Sequence, residues 1–170
     1  MEANILLWVQ ENMRSDFLTP IVKFITTLGN AGILWIILSA LFLCFKKTRK
    51  IGLMTSLALI FDLLSVNVVI KNLVARTRPY EVIEGLTSLI GPQSDFSFPS
   101  GHTAASFAFA TVILLTAPKK YSIPTLVMAF LIAFSRIYLG VHYPTDILGG
   151  IVIGALCSIA SYFVIKKATH

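Results

Sequence analysis

The sequence predicts an all-α fold, namely a polytopic transmembrane helical bundle of about five to six spans with an N-terminal interfacial helix. Hydrophobic residues make up 56% of the chain and charged residues only 13%, and the mean hydropathy is +0.81. Soluble domains carry about 25% charged residues. Much of the surface of this chain must therefore face hydrocarbon rather than water.

The first part of the chain is predicted to lie at the membrane surface. Residues 3–13 are amphipathic, and as a helix they would place Trp8 at the depth of the headgroups. Residues 16–28 would reach only about 20 Å as a helix, so we interpret them as a partial or re-entrant helix. We therefore separate an N-terminal region of interfacial and partial helices, residues 1–29, from a membrane domain over residues 30–170.

Five apolar segments follow, with lengths broadly sufficient to cross a hydrocarbon core. Both cysteines fall within apolar segments and are expected to pack there, without a disulfide framework or metal-binding spacing. The terminal His170 is expected to be disordered. The five segments cover residues 31–45, 51–75, 101–117, 122–139 and 145–165.

The basic residues indicate an orientation in the membrane. The net charge is +6, but the bases occur in short runs between apolar segments rather than in one patch, which argues against nucleic-acid binding. Runs at residues 46–50, 119–120 and 166–167 fall on one side of the bundle if the segments alternate, so that side is predicted to be cytoplasmic. The opposite side receives Glu81, Glu84, Asp95 and Asp146.

Polar groups are concentrated at the predicted outer ends of the segments. Lys71 and Arg78 are seven residues apart, about two turns, so they would share a face if the helix continued. Two cations on one face can hold a phosphate. Taken alone, they are more typical of basic side chains that extend from a helix end to the interface.

A second motif, Phe98-Pro-Ser-Gly-His-Thr103, precedes the apolar segment at residues 101–117. Ser100 suits a helix N-cap, and Gly101 allows its backbone N–H to approach a ligand closely. A helix N-terminus is a favourable anion site, and His102 follows in the first turn. A capped helix with an incidental histidine is the structural alternative.

A third motif contains Arg136, His142 and Asp146. The Arg136 guanidinium offers a planar fork for phosphate oxygens. Pro144 suits the first position of a helix, from which Asp146 could reach back to one imidazole nitrogen of His142. The other nitrogen would then be free to act as a nucleophile. A buried histidine–aspartate pair with a structural role is the alternative.

The three motifs together, Lys-x6-Arg-Pro, Pro-Ser-Gly-His and Ser-Arg-x5-His-x3-Asp, match without substitution those of the type 2 phosphatidic acid phosphatase superfamily, which this sequence resembles over about residues 50–165. The resemblance implies a phosphohistidine mechanism at the extracytoplasmic face of the plasma membrane, without a metal or other cofactor. In that mechanism His142 attacks phosphorus, His102 protonates the leaving oxygen and Asp146 orients His142. The phosphate oxygens would be held by Lys71, Arg78, Ser100, Gly101 and Arg136.

The implied substrate is a lipid phosphate drawn from the membrane. The only sizeable outer loop, residues 80–98, leaves little protein to recognise a complex headgroup, which favours undecaprenyl pyrophosphate. Phosphatidylglycerophosphate and phosphatidic acid are close alternatives. A lipid phosphotransferase with the same residues, a non-catalytic lipid-binding protein and, less consistent with the apolar segments, a haloperoxidase remain open, as does the oligomeric state.

Overall fold

The computed structural model describes residues 1–168, in which all the regular elements are helices and there is no strand. His170, for which disorder was expected, lies outside these described residues. A 3₁₀ turn, Asn30–Gly32, connects α2 to α3, and a π-helix, Leu63–Ile70, continues α4 into α5. The helices are α1 Glu2–Met13, α2 Leu18–Leu28, α3 Ile33–Cys44, α4 Arg49–Asp62, α5 Lys71–Val74, α6 Pro79–Val82, α7 Gly101–Thr116, α8 Lys119–Tyr138 and α9 Pro144–Ala168.

The helices have the lengths and apolar surfaces of membrane spans. Within residues 1–168, three helical stretches are long and apolar enough to cross a bilayer, namely Arg49–Val82, Lys119–Tyr138 and Pro144–Ala168. A fourth crossing is formed if α2 and the stretch Asn30–Cys44, which meet at a bend of 44°, count as one broken span. The predicted class, an all-α transmembrane bundle, is confirmed. The central helix α7 is apolar but shorter, with 16 residues.

Helix α7 forms the centre of the bundle, where it packs against α4, α8 and α9. Its contact with α9 is close because α9 presents glycines to it. A Cβ atom at Gly154 would overlap the carbonyl oxygen of Ala104 and lie 2.9 Å from the amide nitrogen of Ala108. Small residues four apart allow two membrane helices to approach backbone to backbone. This contact fixes the N-termini of α7 and α9 beside each other.

The N-terminal helices pack against the outer end of α8. Helix α1 buries Leu6 and Val9, whereas Trp8 on its other face is 58% exposed. Helix α2 meets α8 near Thr26, which is buried. Two of the basic runs lie at the opposite end of the bundle, one around the short connection from α3 to α4 and the other in the first turn of α8. The motif residues are therefore separated from the basic runs by the length of the bundle.

Candidate active site

Six of the eight residues singled out in the sequence line one cavity of about 560 Å³ at the end of the bundle away from the basic runs. Ser100 and Asp146 do not line the cavity, but both are fully buried beside it, since Asp146 contacts His142 and Ser100 directly precedes Gly101. The structure thus brings the three motifs together. The six lining residues are Lys71, Arg78, Gly101, His102, Arg136 and His142.

His142 lies in the short loop between α8 and α9. This loop turns at Gly140, which has a φ of 76° and leaves no room for a side chain beside Thr87 and Arg14. The Nδ1 atom of His142 lies 3.3 Å from Oδ2 of Asp146, as the four-residue spacing and Pro144 suggested. Its Nε2 atom lies 3.0 Å from Nη1 of Arg78.

These two contacts determine the tautomer of His142. A guanidinium can only donate, so Nε2 must accept, and the ring proton of the neutral imidazole must reside on Nδ1, where the Asp146 carboxylate accepts it. Burial, together with the positive charges of Arg78 and Arg136, lowers the pKa of His142 to about 3 despite its bond to Asp146. At neutral pH the ring is uncharged, with the lone pair of Nε2 on the same side as Arg78.

The Asp146 carboxylate is held by several donors besides His142. Ser97 donates to Oδ2 at 2.5 Å, and the backbone N–H of Tyr143 donates to the same oxygen at 2.9 Å. Arg76 donates to Oδ1 at 2.7 Å and also pairs with Glu2 of α1. A carboxylate with this many donors is fixed in position and remains ionised, so it can hold the imidazole in one orientation.

Lys71 and Arg78 do not lie on one helix. Helix α5 ends at Val74, because Ala75 adopts a left-handed conformation with a φ of 47°, and the chain is extended at Arg78. The prediction that Lys71 and Arg78 share a helix face, which assumed that the helix continues, is therefore wrong, because α5 ends before Arg78. The two cations meet instead through Asp95, which contacts Nζ of Lys71 and accepts from Nη2 of Arg78 at 2.5 Å.

The cations Lys71 and Arg78 are almost completely buried, with exposures of 5% and 3%. Burial by itself raises the pKa of Asp95, but the hydrogen bonds and charges of Lys71 and Arg78 outweigh that effect and hold it below its ordinary value. Asp95 is thus a carboxylate that neutralises part of a strongly basic cavity.

Arg136 is the third buried cation and extends from the last turn of α8. Its Nη1 atom donates to Thr26 of α2 at 2.7 Å. Its Nε atom is buried, and among the residues that the structure describes it has no hydrogen-bond partner. A buried donor without a partner costs about 1–3 kcal/mol. An anion in the cavity would supply the missing acceptor.

The N-terminus of α7 contributes the remaining groups. Ser100 caps the helix, since its Oγ accepts from the backbone N–H and the hydroxyl of Thr103. Nε2 of His102 lies 2.9 Å from Oδ1 of Asn30, which can only accept, so Nε2 carries a proton. The open N–H groups of this helix end and the three cations converge on the same space.

Five further residues lie around the site without a role that the sequence had predicted for them. They lie in loops or on helices far away in the sequence, so no motif spacing marks them. One signal was available: Arg76 and Arg78 flank Thr77 next to a proline, so either arginine could have been the phosphate ligand. The five residues are Thr26, Asn30, Arg76, Asp95 and Ser97.

The cavity continues from the cations into the membrane-spanning part of the bundle. There it runs between α3 and α4 and is lined mainly by apolar side chains, among them Ile36, Leu43, Leu59 and Leu63. Asp62 also lines it. Its Oδ1 atom is buried and has no hydrogen-bond partner among the described residues. The cavity therefore joins a cationic end to an apolar groove.

No group of three or more histidine, cysteine, aspartate or glutamate side chains within residues 1–168 is arranged to hold a metal ion. The positive charge in the cavity is supplied by the three basic side chains Lys71, Arg78 and Arg136. In phosphoryl transfer, fixed cations can stabilise the equatorial oxygens of the transferred group in the way that Mg²⁺ does in other enzymes.

Comparisons with known proteins agree with this architecture. The family model described as the PAP2 superfamily matches residues 49–170. An undecaprenyl-diphosphatase of Sulfolobus acidocaldarius is 33% identical over 144 residues, which cover 85% of this chain and 69% of that protein.

Two crystal structures are also similar to the whole chain. That of Aquifex aeolicus LpxE superposes with a TM-score of 0.80 and 29% identity and covers 93% of this chain and 92% of LpxE. That of a transmembrane PAP2-type phosphatidylglycerolphosphate phosphatase of Bacillus subtilis has a TM-score of 0.75 and 30% identity. It covers 99% of this chain and 84% of the other.

Proposed function

The chain belongs to the PAP2 superfamily of membrane lipid phosphatases, and from this premise we propose that it removes the terminal phosphate of undecaprenyl pyrophosphate by way of a phosphohistidine. The observation that carries the proposal is the position of His142. Its Nδ1 faces Asp146 and its Nε2 faces Arg78, at the cationic end of a cavity whose other end is apolar.

The reaction follows from this geometry. Nε2 of His142 attacks the terminal phosphorus, and the bond from phosphorus to the bridging oxygen breaks while His102 protonates that oxygen. Lys71, Arg78 and Arg136 stabilise the charge that develops on the phosphoryl oxygens. Water then attacks the phosphorus of the phosphohistidine while the bond from phosphorus to Nε2 of His142 breaks. His102 accepts the proton of the water, and inorganic phosphate leaves. Ser100 and the backbone N–H of Gly101 also bind the phosphoryl oxygens.

The apolar groove between α3 and α4 supports a lipid as the substrate. A hydrocarbon chain in this groove would be removed from water along its length while its phosphate reached the cations. The similarity to an undecaprenyl-diphosphatase favours the lipid diphosphate. The similarity to a phosphatidylglycerolphosphate phosphatase over 99% of the chain makes phosphatidylglycerophosphate the second candidate.

The substrate assignment is tested by phosphate release from the detergent-purified protein in the presence of EDTA, with undecaprenyl pyrophosphate, phosphatidylglycerophosphate and phosphatidic acid. We expect release from all three, with the highest kcat/KM for the diphosphate, because its two adjacent phosphates can engage all three cations at once. A higher kcat/KM for a phosphatidyl lipid would reassign the substrate. Loss of activity in EDTA that Mg²⁺ restores would contradict metal independence.

We further propose that the cavity opens on the extracytoplasmic side, because the basic runs lie at the other end of the bundle. Glu84 is exposed in the outer loop. The accessibility of the thiol in a Glu84→Cys variant that lacks Cys44 and Cys157 therefore shows on which side of the membrane this loop lies. We expect a membrane-impermeant maleimide to label it in intact cells. Labelling only after the cells are lysed would reverse the orientation.

A further inference from the structure

We propose that Asp95 determines substrate specificity by occupying the phosphate site of the resting protein, so that dianionic phosphates displace it and monoanionic phosphodiesters do not. This inference rests on the proposed function, since it concerns the same three cations. It starts from the contacts of the Asp95 carboxylate, which engages Lys71 and Arg78 at the same time.

The Asp95 carboxylate lies where a phosphate would have to bind. Arg78 donates to Oδ1 and, through Nε, to the backbone oxygen of Asp95 at 3.1 Å. The carboxylate oxygens therefore already use the donors of Lys71 and Arg78 that converge on the cavity. A phosphate oxygen cannot use the same donors until the side chain of Asp95 leaves, although its backbone contact with Arg78 can remain.

The surroundings of Asp95 allow the side chain to leave. Its side chain is 48% exposed, whereas those of Lys71 and Arg78 are 6% and 4% exposed. Asp95 also lines a second cavity of about 280 Å³, which it shares with Lys71. That cavity is bordered by the polar residues Asn67, Asn72 and Ser94. A rotation of the side chain would thus transfer the carboxylate to a polar space next to solvent.

Charge then decides which ligand can displace the carboxylate. With Asp95 in place, the three cations Lys71, Arg78 and Arg136 face one negative charge. A phosphodiester also carries one negative charge, so the exchange gains no electrostatic energy, and the tethered carboxylate has the advantage of a high effective concentration. A phosphomonoester or diphosphate carries about two negative charges at neutral pH and gains from the exchange.

This selection has a clear use in a membrane. The phospholipids of a membrane are mostly phosphodiesters. Three cations without a counter-charge would attract these abundant headgroups. A carboxylate that only a second negative charge displaces would keep the site available for a scarce lipid with a terminal phosphate.

The test compares wild type with Asp95→Asn, which keeps the shape and removes the charge. Glu84→Gln is the matched control, because it removes one negative charge from the same outer loop at an exposed position. We expect Asp95→Asn to lower KM for the lipid diphosphate about tenfold, and phosphatidylglycerol to become a competitive inhibitor of this variant alone. An unchanged or higher KM, or equal inhibition of all three proteins by phosphatidylglycerol, overturns the proposal.

A measurement without turnover separates this inference from the proposed function. Inorganic phosphate is expected to raise the unfolding temperature of Asp95→Asn more than that of wild type or Glu84→Gln, since the variant leaves Lys71 and Arg78 without a counter-ion. Equal shifts, or an Asp95→Asn protein that does not fold and is not rescued by phosphate, would make Asp95 structural and overturn the inference. Absence of hydrolysis in wild type would count against the proposed function alone.

Discussion

Replacement of His142 by alanine is expected to lower kcat for phosphate release at least about a thousandfold, because it removes the atom that forms the bond to phosphorus. Among the described residues, no other side chain presents an unprotonated nitrogen that is oriented by a carboxylate and lies against a phosphate-binding cation. Direct attack by water on phosphorus in the same cavity would still be accelerated, because the three cations stabilise the charge of the transition state. The residual rate should therefore exceed that of the uncatalysed reaction.

Two measurements check this expectation. Single-turnover assays with ³²P-labelled substrate should transfer label to the wild-type protein as an acid-labile, base-stable adduct and should transfer none to His142→Ala. Asp146→Asn serves as the matched variant, since it keeps His142 but removes the carboxylate that accepts from Nδ1. We expect it to be labelled slowly. Unchanged turnover in His142→Ala, or label on a different residue, would contradict the phosphohistidine mechanism.

Replacement of Arg136 by alanine is expected to lower kcat/KM by about 100- to 1000-fold, the loss typical of one preorganised donor at a developing charge. The reason is the Nε atom, which is buried and has no hydrogen-bond partner in the described part of the chain. Such an atom makes its best hydrogen bond when an anion is present. The guanidinium is also held in place by Thr26, so it is oriented before the substrate arrives.

Arg136→Lys separates charge from geometry. The ammonium keeps the positive charge but cannot reproduce the fork of the guanidinium, so we expect it to recover only part of the lost activity. Arg49→Ala removes a guanidinium at the opposite end of the bundle and should leave kcat/KM unchanged. Thermal unfolding of each variant in detergent controls for loss of structure. Full activity of Arg136→Ala would show that Arg136 is not a phosphate ligand.

These two variants differ in what they report. His142→Ala tests whether the bond to phosphorus forms on the protein, whereas Arg136→Ala tests whether the cavity stabilises the transferred group by charge. A PAP2 phosphatase requires both. A lipid phosphotransferase would show the same two losses, and it is distinguished by its product, because the labelled phosphate would appear on a second lipid rather than in water.

The helical membrane class could be predicted from the sequence because it depends on local properties. Apolar segments of sufficient length must be helical in a bilayer, where each backbone group needs an internal partner. The contact between His142 and Asp146 was equally accessible, since only four residues separate them and Pro144 begins the helix that carries Asp146. The order of the three motifs also indicated the family, which the comparisons show.

Other features are decided only by the tertiary structure. The bend at Ala75 brings Arg78 to Lys71 although no helix face connects them, and Asp95 reaches both cations from a loop. Thr26 of α2 meets Arg136 of α8 across 110 residues of sequence. Such contacts depend on how distant helices pack and where loops cross the end of the bundle, and these are properties that no local spacing encodes. The sequence by itself therefore determined the membrane helices and the chemical groups of the site, whereas the packing of the bundle decided which partner each of those groups has.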